Sequence, residues 1–405
     1  MNIVRGVLGV VVLGLVAFLC SNNRKRVRYR PVLGGVAAQV IFAFLVLQWA
    51  PGRAALNLFS GKVEALIGYT NQGITFLFDG LVKTHGSSSI FALQVLPVII
   101  FLGSLIGILY YLRVVQWVIR ILGGAIAWAL HTSQLESLSA AATVFLGQSE
   151  APLLIRPYVS NLTKAELFQV MTSGFTSVAG STLVGYALLG VPLPYLLTAS
   201  VMTAPAGLVM AKLMFPETEK PRGGKDIQVV TDSRSANVID AAANGTLDGL
   251  RLAVNVGALL LAFISLIALG NGLLSGLGAL VGHPDVTLQK ILGYIFAPVA
   301  FAVGVPWSES VTAGGFFGQK TVLNEFVAYV AFAPHIHQLS PKTVIIVTFA
   351  LCGFANFTSI AIQLGTLGSL APDRRGDVAR YGLRALLAGT LANLFNAAIA
   401  GMFVK

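Results

Sequence analysis

The chain has 405 residues, of which 56% are hydrophobic and only 11% are charged. Soluble globular domains carry roughly 25% charged residues, and disordered chains have low hydrophobicity, so an ordinary soluble enzyme and a disordered protein are both excluded. The 43 Gly and 16 Pro in so apolar a sequence indicate a polytopic membrane protein with small residues between its helices. Two distant cysteines, Cys20 and Cys352, exclude a disulfide framework and a thiolate metal cluster.

The position of the positive charge explains the net charge of +11. A cluster of five basic residues follows the first apolar run: Arg24, Lys25, Arg26, Arg28 and Arg30. Such a cluster is typical of a cytoplasmic loop. Nucleic-acid binding is disfavoured because only Tyr29 is interleaved with the charge.

The N-terminal half begins with two predicted transmembrane helices within residues 1–50. Positions 3–20 imitate a signal peptide but have no small-residue cleavage site, which predicts a retained first helix with its N-terminus outside. Residues 32–50 form the second helix. Residues 51–84 mix charged and bulky apolar residues, as in amphipathic helices at a membrane interface.

Uncharged stretches predict the remaining spans, because crossing the hydrocarbon takes about 20 mostly apolar residues. Residues 87–112 form one span, and 167–211 form two, divided by Pro192 and Pro194. A polar linker is predicted at 216–240. The spans and interrupted regions after it are 252–284, 291–308, 343–372 and 385–404.

The same order of segments occurs twice, which predicts a first repeat over 51–215 and a second over 241–405. In residues 113–158, two apolar pieces flank HTSQLES and lead to GQSEAP; in 288–329, two flank VPWSES and lead to KTVLNEF. Each unit precedes an uncharged stretch with small and polar residues at its centre, at 173–182 and 352–359. Matching interruptions in two halves are typical of a transporter with its site at the midplane.

Two carboxylates lie in these apolar units, Glu150 and Glu325. Placing either against lipid costs a few kcal/mol or more, so we expect them to line a polar cavity. The alternative is structural, namely a helix cap or a pair with Arg156 or Lys320 that stabilises a hairpin.

Three amides accompany the carboxylates: Gln148, Asn324 and Asn356. Amides donate and accept at once, which suits a nucleobase edge or sugar hydroxyls, although interhelical hydrogen bonding is the common role of such residues. Phe354 is either core packing or a stacking platform for a flat ligand. The sequence contains no catalytic motif, which argues against a membrane enzyme.

Three segments together resemble the concentrative nucleoside transporter family over nearly the whole chain: GQSEAPLLIRPYV (147–159), LNEFVAY (323–329) and CGFANFTSIAIQLG (352–365). The resemblance implies an all-α polytopic membrane protein with about eight transmembrane helices and two re-entrant hairpins in an inverted repeat. It also implies a homotrimer in which a transport domain moves against a scaffold domain in an elevator-type cycle.

The resemblance also implies roles for particular residues. Gln148, Ser149 and Glu150 at the first hairpin contact the nucleobase, and Phe354 lies against it. Glu325 at the second hairpin holds the ribose with Asn356 and Ser359 of the broken seventh helix. A sodium site is implied at four residues of the first hairpin and the unwound fourth helix: Thr143, Leu146, Ser177 and Val178.

One position departs from the family pattern. Sodium-coupled members usually carry Asn where this chain has Thr143, and a proton-coupled branch also lacks that Asn. Thr still offers one hydroxyl oxygen, so sodium is favoured over a proton as the coupling ion.

The resulting prediction is a cation-coupled importer of uridine-like nucleosides in the bacterial inner membrane, surrounded by lipid, with no other cofactor and no nucleic-acid partner. The alternative is a passive channel or facilitator for small polar solutes. The channel is disfavoured because the polar groups concentrate at two hairpins and two helix breaks.

Overall fold

The computed structural model describes residues 2–83, 90–221, 235–280, 282–283 and 285–404 of the chain. All the regular structure in these residues is helical. Five of the described helices are long and apolar enough to cross a membrane. The prediction of an all-α polytopic membrane protein is confirmed.

The helices of the N-terminal half are numbered in chain order. They are α1 (Asn2–Leu19), α2 (Tyr29–Ala43), α3 (Ala50–Gly68), α4 (Thr70–Lys83), α5 (Phe91–Gln94), α6 (Leu96–Tyr111), α7 (Val114–Leu130), α8 (Gln134–Ala142), α9 (Lys164–Thr176), α10 (Gly180–Leu188) and α11 (Leu193–Met214). A π-helical turn, Phe44–Gln48, extends α2, and a 3-10 segment, Ala151–Asn161, precedes α9.

The helices of the C-terminal half follow the same convention. They are α12 (Val238–Leu280), α13 (Leu288–Ala302), α14 (Trp307–Val322), α15 (Glu325–Phe332), α16 (Pro341–Leu351), α17 (Phe357–Leu370) and α18 (Arg375–Met402). Short 3-10 turns lie at Ala333–His335 and Pro372–Arg374. Most of the predicted linker, 222–234, lies outside the described residues, as do 87–89 at the start of the predicted third span.

Two long helices begin earlier than their charge-free stretches predicted. Helix α12 starts at Val238 and not near 252, and α18 starts at Arg375 and not near 385. With a rise of 1.5 Å per residue, the 43 residues of α12 span about 65 Å, against a hydrocarbon core of about 30 Å. Charged residues in its first turns therefore need not lie in the hydrocarbon, and a charge-free window underestimates the helix.

The two predicted reversals around HTSQLES and VPWSES are present. Helices α7 and α8 are joined at residues 131–133, and α13 and α14 are bent by 117° relative to each other. Ser133 caps α8, accepting a hydrogen bond from the backbone N–H of Glu136 while the Glu136 carboxylate accepts one from the backbone of Ser133. Each unit then has a second turn, and the candidate site residues lie there.

Both predicted interruptions of transmembrane helices are confirmed. The fourth span is α9 followed by α10, with residues 177–179 non-helical between them. The seventh is α16 followed by α17, with 352–356 non-helical. Both breaks pack beside α18, which is fully buried over residues 391–402.

Helices α6 and α12 pack chiefly on each other, through glycine. A Cβ added at Gly103 lies only 2.7 Å from Gly249 Cα, and one at Gly107 lies 2.6 Å from Ala241 O. Such spacing brings two membrane helices into backbone contact, as small residues do in other membrane proteins. The rest of α12 exposes a long apolar surface that includes Leu261, Leu269 and Leu280.

Candidate functional site

The fourth span ends its first helix at a cluster of small polar residues. Ser177 has extended backbone angles (φ −91°, ψ 167°), and α10 restarts at Gly180. This break leaves the last carbonyls of α9 without intrahelical donors. The carbonyl of Thr176 accepts a hydrogen bond from Asn393 Nδ2 at 2.8 Å, so the break is stabilised by α18.

The seventh span is interrupted next to the fourth. The backbone N–H of Phe354 donates to the carbonyl of Ser177 at 3.0 Å, which joins the two breaks directly. Asn356 caps α17, since its Oδ1 accepts a hydrogen bond from the backbone N–H of Ser359 at 2.9 Å. The two unwound segments therefore form one structural unit.

The turn after α8 lies against the first of these breaks. The carbonyl of Phe145 accepts a hydrogen bond from the backbone N–H of Gly180 at 3.0 Å. A Cβ added at Gly147 lies 3.3 Å from Ala179 Cβ and 3.7 Å from the Phe354 ring. The turn that carries GQSE is thus in contact with both breaks.

Glu325 begins α15, at the turn after α14, and its carboxylate is buried among hydrogen-bond donors. Oε1 accepts from the Tyr186 hydroxyl at 3.1 Å, and Oε2 accepts from Asn356 Nδ2 at 3.0 Å. Asn324 caps α15 and fixes this turn, accepting from the backbone N–H of Val327 at 2.9 Å. The Tyr186 ring stacks on Tyr329 with a centroid distance of 4.2 Å, which holds its hydroxyl in place.

Gln148 connects the first turn to α17. Its Nε2 donates to Ser359 Oγ at 2.9 Å, and its Oε1 lies 3.5 Å from Gln363 Nε2. Gln363 in turn donates to the carbonyl of Met171 in α9 at 2.9 Å. The carboxamide is therefore oriented by partners on the opposite half of the chain.

Four of the residues predicted to bind substrate form one continuous hydrogen-bonded chain. Gln148 bonds Ser359, Ser359 bonds Asn356, and Asn356 bonds Glu325. All four side chains are buried. The chain contains an amide, a hydroxyl, a second amide and a carboxylate, and the backbone N–H of Ser359 makes the bond to Asn356.

The other three predicted residues flank this chain without joining it. Ser149 and Glu150 are exposed, and the Glu150 carboxylate accepts a hydrogen bond from the backbone N–H of Gly147 at 3.2 Å. Phe354 is half-buried beside the same turn. Within the described part of the chain, neither glutamate forms an ion pair with Arg156 or Lys320, so the structural alternative of a charge pair is not what holds the turns.

The four residues predicted to bind sodium lie at the first turn and the first break, and all are buried. The hydroxyl of Thr143 donates to the carbonyl of Ala140 at 2.8 Å, and that of Ser177 donates to the carbonyl of Gly174 at 3.2 Å. Each hydroxyl oxygen therefore keeps lone pairs for a cation. Neutral hydroxyl and carbonyl oxygens are the ligands that suit a hard cation.

Four residues of this region were absent from the predicted site: Tyr186, Gln363, Lys320 and Asn393. Tyr186 and Asn393 lie in apolar spans where one polar residue gives no pattern, and only their tertiary partners reveal a role. Gln363 was within the third signature segment, seven positions after Asn356, or two turns along one face of α17. That spacing was a usable signal.

Comparison with known proteins follows the same division of the chain. Three family models match the chain in succession. Residues 8–81 match the model described as "Na+ dependent nucleoside transporter N-terminus", and residues 92–193 match "Nucleoside recognition". Residues 195–401 match "Na+ dependent nucleoside transporter C-terminus". The chain belongs to the Na+ dependent nucleoside transporter family. The resemblance to concentrative nucleoside transporters is thereby confirmed.

Individual relatives match the chain over nearly their full length. The chain is 56% identical to "Uncharacterized transporter YutK" of Bacillus subtilis, with 100% of both chains covered. It is 43% identical to "Nucleoside permease NupC" of Helicobacter pylori, covering 98% of this chain and 97% of that one. These relatives are transporters and permeases, and the protein is a transporter and not an enzyme.

One relative, CNTnw, has been solved in several states, and each of these structures resembles the protein. CNTnw in an inward-facing substrate-bound state matches with a TM-score of 0.95 at 48% identity, covering 100% of this chain and 98% of that one. A variant of CNTnw in an outward-facing state matches with a TM-score of 0.96 at the same identity and coverage. The family's multi-pass membrane fold is shared throughout.

Proposed function

We propose that the protein imports nucleosides across the bacterial inner membrane, driven by a sodium gradient. The observation that carries the proposal is the chain of Gln148, Ser359, Asn356 and Glu325, which joins both turns and the second break. Its amides suit the polar edge of a nucleobase, and its carboxylate suits ribose hydroxyls. The names of relatives such as the nucleoside permease support the same substrate class.

Nucleosides fit this chain better than nucleotides do. A phosphate needs cationic or backbone N–H donors, whereas Ser149, Glu150 and Glu325 offer hydroxyl and carboxylate groups that repel or weakly bind it. Ser149 and Glu150 are exposed beside Gln148, so they are placed to approach a nucleobase from outside the buried chain. Uridine is the proposed test substrate, and uridine monophosphate is the matched non-substrate.

Sodium is the proposed coupling ion because the first turn and the first break are in contact and both contain buried oxygens. Thr143 and Leu146 lie in the turn after α8, while Ser177 and Val178 lie in the break that contacts it. The bound ion would join the turn to the break and so stabilise the Gln148 side of the site. In this proposal, sodium binding favours substrate binding, and the sodium gradient drives net uptake.

An elevator-type movement in a homotrimer is the proposed mechanism. Helices α6 and α12 pack mainly on each other through glycine, which suits a rigid scaffold. The turns, the breaks and α18 form a second compact unit that carries the whole candidate site. The apolar surface of α12 is available for lipid and for neighbouring copies.

Uptake into proteoliposomes tests the proposal. Labelled uridine is offered under an inward sodium gradient at equal pH on both sides, and separately under an inward proton gradient without sodium. We expect accumulation only with sodium. Uptake that ignores sodium and follows the proton gradient contradicts sodium coupling, and competition by uridine monophosphate equal to that by uridine contradicts the substrate assignment.

Counterflow separates a carrier from the alternative of a passive channel. Proteoliposomes are preloaded with unlabelled uridine and diluted into labelled uridine. A carrier accumulates label transiently because outward and inward movements share one binding site, whereas a channel only equilibrates. We expect transient accumulation of labelled uridine in preloaded proteoliposomes. Proteoliposomes without uridine inside should not show it.

A further inference from the structure

Lys320 is a buried charge that neither the proposed nucleoside site nor the proposed sodium site uses. It lies near the end of α14, five positions before Glu325, and its side chain is 3% exposed. A lysine ammonium inside a membrane protein is costly unless other groups satisfy it. Its partners therefore indicate its role.

Carbonyl and amide oxygens, not carboxylates, surround the ammonium. Lys320 Nζ donates to the carbonyl of Ala350 at 2.7 Å and to Asn393 Oδ1 at 2.8 Å. In the part of the chain that the structure describes, Lys320 has no ion pair with an acidic residue. Its positive charge is left to act on the backbone.

Asn393 extends this contact to both helix breaks. Its Nδ2 donates to the carbonyl of Thr176 at 2.8 Å and to that of Cys352 at 2.9 Å. Thr176 is the last residue of α9, and Ala350 and Cys352 lie at the end of α16. The Asn393 amide thus contacts the carboxyl ends of both half-helices, and the Lys320 ammonium contacts the end of α16 directly and the end of α9 through Asn393.

The physical need for a cation at this point follows from helix geometry. The carboxyl end of a helix has unpaired carbonyls and a partial negative charge. Two such ends meet here, away from water, where unsatisfied carbonyls are strongly disfavoured. The Lys320 ammonium offsets the end of α16 directly, and the Asn393 amide that it holds satisfies the end of α9.

The two halves of the chain differ at this feature. The spacing of 175 residues between Glu150 and Glu325 places Phe145 at the position that corresponds to Lys320. Phe145 supplies only its backbone carbonyl, to Gly180, and the nearby oxygens of Thr143 and Ser177 are uncharged. The first half therefore has oxygens without a fixed cation, while the second has a cation attached to the chain.

We propose that Lys320 is a tethered cation that occupies, in the second half, the structural place that a coupling ion takes in the first. It is a positioning residue, acting through Asn393 and the Ala350 carbonyl to hold both breaks so that Asn356 and Glu325 meet. The comparison with a coupling ion rests on the proposed function. The role of Lys320 at the breaks does not, because it follows from the contacts alone.

Chemical rescue tests this role in the purified protein in lipid nanodiscs. Lys320→Ala removes three methylene groups and the ammonium group. Together these groups have the size of n-propylammonium. We expect uridine affinity to fall by about tenfold, the usual consequence of leaving buried groups unsatisfied, and the melting temperature to fall with it. Added n-propylammonium restores both at least in part, whereas propan-1-ol and tetramethylammonium do not. Lys290→Ala, which removes an exposed lysine of α13, serves as the matched control and responds to none of them.

Several outcomes overturn the proposal. Equal rescue by propan-1-ol, or wild-type uridine affinity and melting temperature in Lys320→Met, means that the side chain only fills space. If Lys320→Ala is not recovered folded, Asn393→Ser is measured instead, because it keeps the lysine but removes the amide donors to both breaks. Wild-type affinity and stability in Asn393→Ser also overturn the proposal.

The design distinguishes failure of this inference from failure of the proposed function. If wild-type protein binds no nucleoside, the proposed function is wrong, and the amine-specific change in melting temperature still reports on Lys320. If wild-type protein binds uridine and the amine has no specific effect, the inference alone is wrong.

Discussion

The backbone N–H of Phe354 donates a hydrogen bond of 3.0 Å to the carbonyl of Ser177, so the unwound parts of two transmembrane helices are joined to each other. Residues implied in nucleoside binding and residues implied in ion binding therefore lie on one backbone unit. The two breaks are therefore in direct contact through their backbones. This contact is a direct physical route for the proposed coupling between ion binding and substrate binding.

Glu325→Gln tests the ribose contact. A buried group built to bond a hydroxyl discriminates against a ligand that lacks it, and a hydrogen bond to a charged group is worth about 1.5 to 3 kcal/mol, or about ten- to a hundredfold in affinity. We expect the wild type to bind 3′-deoxyuridine poorly and the variant to bind uridine more weakly with a smaller difference between the two. Inhibition constants for uridine and its 2′- and 3′-deoxy forms measure this.

Glu64→Gln, which changes an exposed carboxylate on α3, is the matched control and leaves all three constants unchanged. Equal loss of affinity for the three ligands in Glu325→Gln, with a normal elution volume on a sizing column, would remove Glu325 from the ribose site.

Thr143→Ala tests the coupling ion. The variant keeps the helix cap position but removes a buried hydroxyl oxygen, so the sodium concentration for half-maximal uridine uptake should rise on the order of tenfold. Thr198→Ala removes a buried hydroxyl that likewise bonds a carbonyl one turn earlier, in α11, and should leave the sodium dependence unchanged. An unaltered sodium dependence in Thr143→Ala would place the ion elsewhere.

Gly353→Ala tests how closely the breaks pack. A Cβ at this position lies 2.5 Å from the carbonyl oxygen of Thr176 and 2.6 Å from Asn393 Nδ2, both of which are fixed in the polar network. We expect a loss of about 1 to 3 kcal/mol in stability, seen as a lower melting temperature, together with weaker uridine binding. Gly365→Ala, on the open side of α17, has no atom within 4 Å of the new methyl group and should melt at or above the wild-type temperature. Equal melting of the two variants contradicts the packing described at the breaks.

Gly245→Leu tests the rigid pairing of α6 and α12. A Cβ at Gly245 meets the backbone of Gly103 and lies 3.1 Å from Ser104 Cα, so a leucine must separate the helices. Thermal unfolding in nanodiscs should occur at a distinctly lower temperature. Gly272→Leu, further along α12 where nothing lies within 4 Å, should change it little. Similar behaviour of both variants would show that this pair of helices tolerates separation and is not a rigid scaffold.

Patterns in the sequence are enough to predict the membrane class, a repeated order of segments and the positions of both helix breaks. Uncharged stretches of sufficient length predict which segments cross the hydrocarbon. Clusters of small and polar residues such as SGFTSVAGST predict where a helix facing a protein cavity is interrupted. These features are local, so a single chain reveals them. The roles of the seven candidate substrate residues are instead what the resemblance of three signature segments to a known family implies.

Helix boundaries beyond the hydrocarbon and the partners of each polar side chain were decided by the tertiary structure. The starts of α12 and α18 were not predicted, because both helices begin with charged segments that lie outside the charge-free window used to locate a span. The pairing of Glu325 with Tyr186 and Asn356, and not with Lys320, joins residues up to 139 positions apart. Such pairings depend on how α10, α15 and the break before α17 are brought together, since a buried polar group takes whichever partner the packing brings within reach.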